Sequence, residues 1–156
     1  MSTERPDAEL ALEQATLELF RELGWHTVNA YHETYTEDPG LSGGGASLGR
    51  TTRSEVILRP RLLAALARLN PDLPPESFAQ ACDELARDRS AMTPAAANRE
   101  IHAYLKDGLP VAARDTSGEE RPERLRLIDW DEPDNNDWLL VQQLWVTGDL
   151  YTRRTS

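Results

Sequence analysis

The chain has 156 residues, enough for one domain with a real core, and carries 27 acidic against 17 basic side chains, a formal charge of −10. That balance argues against autonomous, tight nucleic-acid binding but leaves room for a locally basic groove inside a larger protein. Cys82 is the only cysteine, which excludes an intramolecular disulfide and a cysteine-built metal site.

The opening MSTERPDAEL holds no apolar signal core. The longest apolar runs fall far short of the roughly 18 residues that a membrane span needs. The expectation is a soluble, cytoplasmic protein with no membrane contact.

Residues 7–23 predict a helix, with Asp7 as N-cap and Gly24 as the stop. At ~100° per residue, Leu10, Leu12, Leu17, Leu19, Phe20 and Leu23 share one broad arc, which is expected to face a core. Glu9 and Glu13 fall inside the same arc. Residues 25–31 (WHTVNAY) are aromatic and β-branched at alternate positions and predict a strand. Residues 36–50 are rich in Gly and Ser and predict a mobile loop.

A helical block follows over about 55–107. Leu62, Leu63, Leu66 and Leu69 have helical spacing, with Pro60 near the start. Pro74-Pro75 opens a second helix, which puts Phe78, Ala81, Cys82 and Leu85 on one stripe. Thr93 caps a third, with Pro94 in its first turn and Gly108 at its end. Residues 124–130 (RLRLIDW) alternate and predict a strand, and 132–136 form a turn. Residues 137–147 (DWLLVQQLWVT) predict one long strand, central in its sheet. A turn at Gly148-Asp149 leads into a further strand.

Several groups are candidates for chemistry. A carboxylate on an apolar arc must be paired, hydrogen-bonded or metal-bound, so Glu9 and Glu13 are either aimed at a metal or substrate site or sit at the arc's edge. GGASLGRT (44–51) imitates a phosphate-binding loop, but Arg50 stands where that motif needs Lys, so the segment is not expected to bind ATP. His26, His32 and His102 lack metal-ligand spacing. Trp25, Trp130, Trp138 and Trp145 are expected to pack in a core rather than to stack on bases. The acidic run 129–134 lacks the spacing of a calcium loop and reads as a solvated turn.

Four separated blocks, LELFRELGW (17–25), SEVILRPRLLAALARLNPDLP (54–74), NREIHAYLKDGLPV (98–111) and LIDWDEPDNNDWLLVQQLWV (127–146), resemble in order the N-terminal region of the R subunit of type I restriction enzymes. The resemblance implies an α/β (α+β) nuclease domain of the PD-(D/E)xK type. It would form a single domain over 1–156, with strands near 25–31, 124–130 and 137–147 and the block at 55–107 as a helical insertion. In that fold an early helix contributes a glutamate, a later strand an aspartate, and the next strand Glu-x-Lys. The acids bind Mg²⁺.

Carried over by position, Glu13 matches the early-helix glutamate, as catalytic and metal-binding residue, with Glu9 as the fallback. Ser156 falls where the aspartate is expected after Arg153-Arg154, and the Glu-x-Lys strand does not occur. The fold is therefore expected to be incomplete and the chain inactive by itself. In the full-length family, ATP hydrolysis drives DNA translocation, and methylation and specificity subunits supply target recognition. The alternative expectation is a non-catalytic docking or complementation module of such a complex.

Overall fold

The computed structural model describes residues 5–35, 48–114, 117–148 and 152–154. Its helices are α1 (Arg5–Glu22), α2 (Arg59–Leu69), α3 (Pro75–Leu85) and α4 (Pro94–Asp107). Its strands are β1 (His26–Asn29), β2 (Leu109–Arg114), β3 (Glu120–Leu125), β4 (Leu139–Gln142), β5 (Trp145–Thr147) and β6 (Thr152–Arg154). The class is mixed helix and strand, α+β. The chain divides into two compact units, one from Met1–Glu55 with Asp137–Ser156 and the other Val56–Asn136.

The first unit is built on parallel pairing of β1 with β4, with His26 opposite Leu139 and Asn29 opposite Gln142. Gly24, at φ +83°, ends α1 in a conformation that side chains rarely adopt. The chain then turns directly into β1, with the Trp25 amide bonded to the Phe20 carbonyl at 2.9 Å. β1 stops at Asn29 because the Asn29 side chain accepts the Tyr31 amide at 2.9 Å. It is therefore shorter than the predicted 25–31. Asp7 lies inside α1 rather than at its start.

Two further expectations for this unit are corrected. The leucine arc of α1 is not a buried face: Leu17 is buried, but Leu10, Leu12, Leu19 and Leu23 are 54, 70, 53 and 63% exposed. A pair of four-residue strands is too narrow to cover an 18-residue helix. The 137–147 run is not one strand either. It breaks into β4 and β5 at Gln143, whose φ is 59°, and β5 pairs antiparallel with β6, Trp145 opposite Arg154.

In the second unit, α2, α3 and the β2–β3 hairpin enclose Leu66, Phe78, Ala81, Cys82, Leu109, Val111 and Leu125. Each fully buried leucine stabilises the fold by about 1.5–3 kcal/mol relative to exposure. Thr93 caps α4 by accepting the Ala96 amide, and Pro94 occupies its first turn. Gly108 ends it at φ +83°, where an added Cβ would lie 3.0 Å from the Leu125 carbonyl oxygen. The predicted helical block is thus three helices.

The hairpin was not anticipated. β2 alternates buried and exposed, but Pro110 and two alanines hide that pattern in the sequence. The strand predicted over 124–130 ends at Leu125. Its continuation is diverted by Asn70, whose side chain accepts the Arg126 amide at 2.7 Å and donates to the Arg126 and Leu66 carbonyls at 2.9 and 3.0 Å.

Candidate functional site

The arc of α1 that carries Glu9 and Glu13 borders a groove of about 590 Å³, together with Leu10, Leu12, Leu17 and residues 140–143. Glu9 is exposed and Glu13 half-buried. Glu13 Oε1 accepts a hydrogen bond from Gln143 Nε2 at 3.2 Å. The cost of placing a carboxylate on an apolar helix face is thus met in part by an amide at the end of β4.

Aromatic packing sets the geometry at one end of this unit. Trp25 stacks on Trp138 with ring centroids 5.1 Å apart and 15° between planes, and Phe20 meets Trp25 edge-on at 4.7 Å. These three rings join the end of α1 to the starts of β1 and β4. His26 Nδ1 lies 3.3 Å from Asp137 Oδ1 beside them.

A buried ion pair organises the other end. Arg50 Nε and Nη2 donate to Glu33 Oε1 and Oε2 at 2.9 and 2.5 Å, and both side chains are 1% exposed. Nη1 also donates to the Glu55 carbonyl and Nη2 to the Trp145 carbonyl, each at 3.0 Å. Its hydrogen bond to Glu33 holds the Arg50 pKa above the usual arginine value, against the opposing effect of burial.

Arg53 lies 4.9 Å from the centre of the Trp145 ring, and its carbonyl accepts the Thr147 amide at 3.0 Å. Arg50 is therefore a structural strut, not part of a mobile loop or a phosphate cradle. Of the predicted 36–50 loop, 36–47 lie outside the described residues, as do 44–47 of the Gly-rich motif.

In the second unit, the expected solvated acidic turn is ordered around Asp129. Its Oδ1 accepts the Asp131 and Glu132 amides at 3.2 and 3.1 Å, and its Oδ2 accepts from Asn135 Nδ2 at 3.1 Å and Arg126 Nη1 at 3.2 Å. The Asn135 bond, followed by the Glu132 amide, lowers the Asp129 pKa. Asn136 accepts the Asp129 amide and donates to its carbonyl, both at 2.8 Å. The run Asp-x-x-x-x-x-Asn-Asn signals this arrangement through its turn chemistry.

The remaining candidates separate. Trp130 is 61% exposed, contrary to the core expectation, and its indole N–H donates to the Leu105 carbonyl at 3.0 Å. Cys82 is buried in the core. His102 is exposed on α4, and His32 meets the Tyr31 ring edge-on. Among the described residues, no group of three His, Cys, Asp or Glu side chains is placed to hold a metal ion. Ser156 lies outside the described residues. No helix of the described residues is long and apolar enough to cross a membrane. The residue missed from sequence is Gln143, whose only signal was a Gln-Gln pair inside an apolar run.

The family model of the type I restriction enzyme R protein N terminus matches residues 7–155. The chain belongs to this family. It is also similar to the type I restriction enzyme HindI endonuclease subunit of Haemophilus influenzae (strain ATCC 51907 / DSM 11121 / KW20 / Rd), at 29% identity over 135 residues. That match covers 86% of the chain but 12% of the relative, so this R-protein N-terminal region spans only a small part of the length of that subunit. No solved structure matches the chain.

Proposed function

We propose that this chain supplies the opening segment of a PD-(D/E)xK nuclease domain in a type I restriction R subunit, with 56–136 as an insertion into that domain. In this reading the complete subunit cleaves DNA with Mg²⁺ and translocates it with ATP, in the cytoplasm, and works beside methylation and specificity subunits. Glu13 is the early-helix carboxylate, with Glu9 one turn away. The observation that carries the reading is the half-buried Glu13 in a groove against the end of β4. Support comes from the β5–β6 hairpin: Arg153 and Arg154, the pair that precedes the aspartate-bearing position in the family, lie on β6 opposite Val146 and Trp145.

The residues present fit one ligand of a divalent cation rather than a full set. Mg²⁺ binds through one or two carboxylates plus water and substrate phosphates, and Glu13 and Glu9 are the acids bordering the groove. Lys106 is the only lysine, and Tyr104 stands two positions before it, so the 156 residues contain no Glu-x-Lys. No catalytic step follows from these groups alone.

The expected result is therefore that the purified chain with Mg²⁺ leaves supercoiled plasmid intact. Metal-dependent nicking that disappears in Glu13→Ala would overturn the reading of the chain as inactive alone. A second reading, a docking or complementation module without its own chemistry, is favoured by one observation, the exposed Leu10, Leu12, Leu19 and Leu23 on α1. It predicts retention on an immobilised methylation–specificity complex, lost in Leu12→Glu. Absence of retention at low salt counts against it.

A further inference from the structure

Two arginines three positions apart meet opposite fates in the first unit. Arg50 is buried, and its guanidinium is committed to Glu33 and to the carbonyls of Glu55 and Trp145. Arg53 is exposed. Its Nε donates to Tyr35 Oη at 3.0 Å, and its guanidinium carbon lies 5.8 Å from the centre of the Tyr35 ring and 4.9 Å from that of Trp145. Among the described residues, Nη1 and Nη2 have no hydrogen-bond partner and no carboxylate pairs with Arg53. The side chain is not needed to hold its segment in place. The Arg53 carbonyl already accepts the Thr147 amide at 3.0 Å, and Arg50 ties the same segment to β5.

The surroundings are cationic in a chain whose formal charge is −10. β6 sets Arg154 opposite Trp145 and Arg153 opposite Val146. The neighbouring acids are engaged, Glu33 with Arg50 and Glu55 with the Thr51 amide and hydroxyl. We infer that Arg53 is a DNA contact: its Nη1–Nη2 edge takes one phosphate of the backbone, and β6 supplies further positive charge beside it. Two parallel N–H donors match two phosphate oxygens. With Nε held by the Tyr35 phenol and the guanidinium over an indole, the group is oriented before any ligand arrives, so little side-chain freedom is left to lose. Such a contact fixes position and carries no sequence preference. The inference rests on the reading of the chain as part of a DNA-acting subunit, but it needs neither Glu13 nor a metal ion.

The probe is a short fluorescein-labelled DNA duplex, added to the 156-residue chain without divalent cation and read by anisotropy over a series of salt concentrations. Wild type is expected to bind at low salt. Arg53→Gln keeps an aliphatic stem over Trp145 and should weaken binding about 10-fold. It should also reduce the slope of log K against log salt by about 0.9, the counterion release of one phosphate, which a merely structural loss does not single out. Arg53→Lys returns the charge and should restore the slope. Arg99→Gln removes the same charge from α4 in the second unit and should change neither.

A slope that is unchanged in Arg53→Gln, lowered equally by Arg99→Gln or not restored by Arg53→Lys overturns the contact and leaves the nuclease reading standing. Displacement of the duplex by inorganic phosphate or ATP at matched ionic strength also overturns it, by showing a site for a free phosphate group. Absence of duplex binding by wild type at low salt overturns it too. The nuclease reading is tested separately, by the plasmid assay with Mg²⁺.

Discussion

Glu33 and Arg50 form a two-pronged ion pair that is almost wholly removed from solvent, and the same guanidinium also holds the carbonyls of Glu55 and Trp145. One side chain thereby ties together the segment after β1, the segment entering the second unit and the first residue of β5. Removing either partner strands a buried charge, which costs about 3–5 kcal/mol. Arg50→Ala and Glu33→Ala should each lower stability by an amount in that range in urea titrations. The double variant should lose less than the sum of the two. Arg50→Lys should also destabilise, because an ammonium cannot reproduce the planar fork that meets Glu33 and two carbonyls together.

Asp129 should give the second unit part of its acid sensitivity. Its folded-state pKa is depressed, chiefly by Asn135 and the Glu132 amide. A depressed carboxylate contributes stability above its unfolded pKa of about 3.9 and loses it as pH falls through the lower folded value. Melting temperatures of wild type and Asp129→Asn should therefore differ most near neutral pH. They should converge as pH falls past about 3.9 and through the depressed folded value. The comparison cancels Glu55, Asp88 and Glu100, whose pKa values are also lowered.

Asn70→Leu should cost about 2 kcal/mol or more, because it leaves the Arg126 amide without its acceptor and removes two donated bonds. Hydrogen exchange at the Arg126 amide is the direct measure. It should rise by more than exchange in the body of α3.

Trp25→Ala should destabilise the first unit by about 3 kcal/mol, the lower end for a large aromatic because Trp25 is only half-buried. It removes both the stack on Trp138 and the edge contact with Phe20. Near-ultraviolet circular dichroism should show the loss of the stacked indole pair. Trp130→Ala should leave that signal in place.

The sequence made the helices plain and the sheets obscure, for physical reasons that particular residues illustrate. Pro94, Thr93 and Gly108 are local signals: each acts within a turn of where it stands, so α4 could be read directly. The end of β3 could not, because it is set by Asn70, more than fifty residues earlier. The break at Gln143 was hidden likewise, since its left-handed backbone is accompanied by a contact with Glu13 that no local pattern encodes. Glu13 itself was legible as a carboxylate on an apolar arc, but the exposure of that arc was not. Periodicity records which residues share a face and says nothing of how wide a partner that face will find.

The parallel pairing of β1 with β4 joins positions about 110 residues apart. During synthesis α1 and β1 emerge early and must wait for Leu139–Gln142, while 56–136 already contains every strand and helix of its own core. The second unit can therefore fold on the ribosome first, and its collapse shortens the loop that the first unit has to close. Until then the leucines of α1 stand without even the narrow cover that β1 and β4 later provide, so nascent chains halted before β4 are the species most exposed to chaperones and proteases.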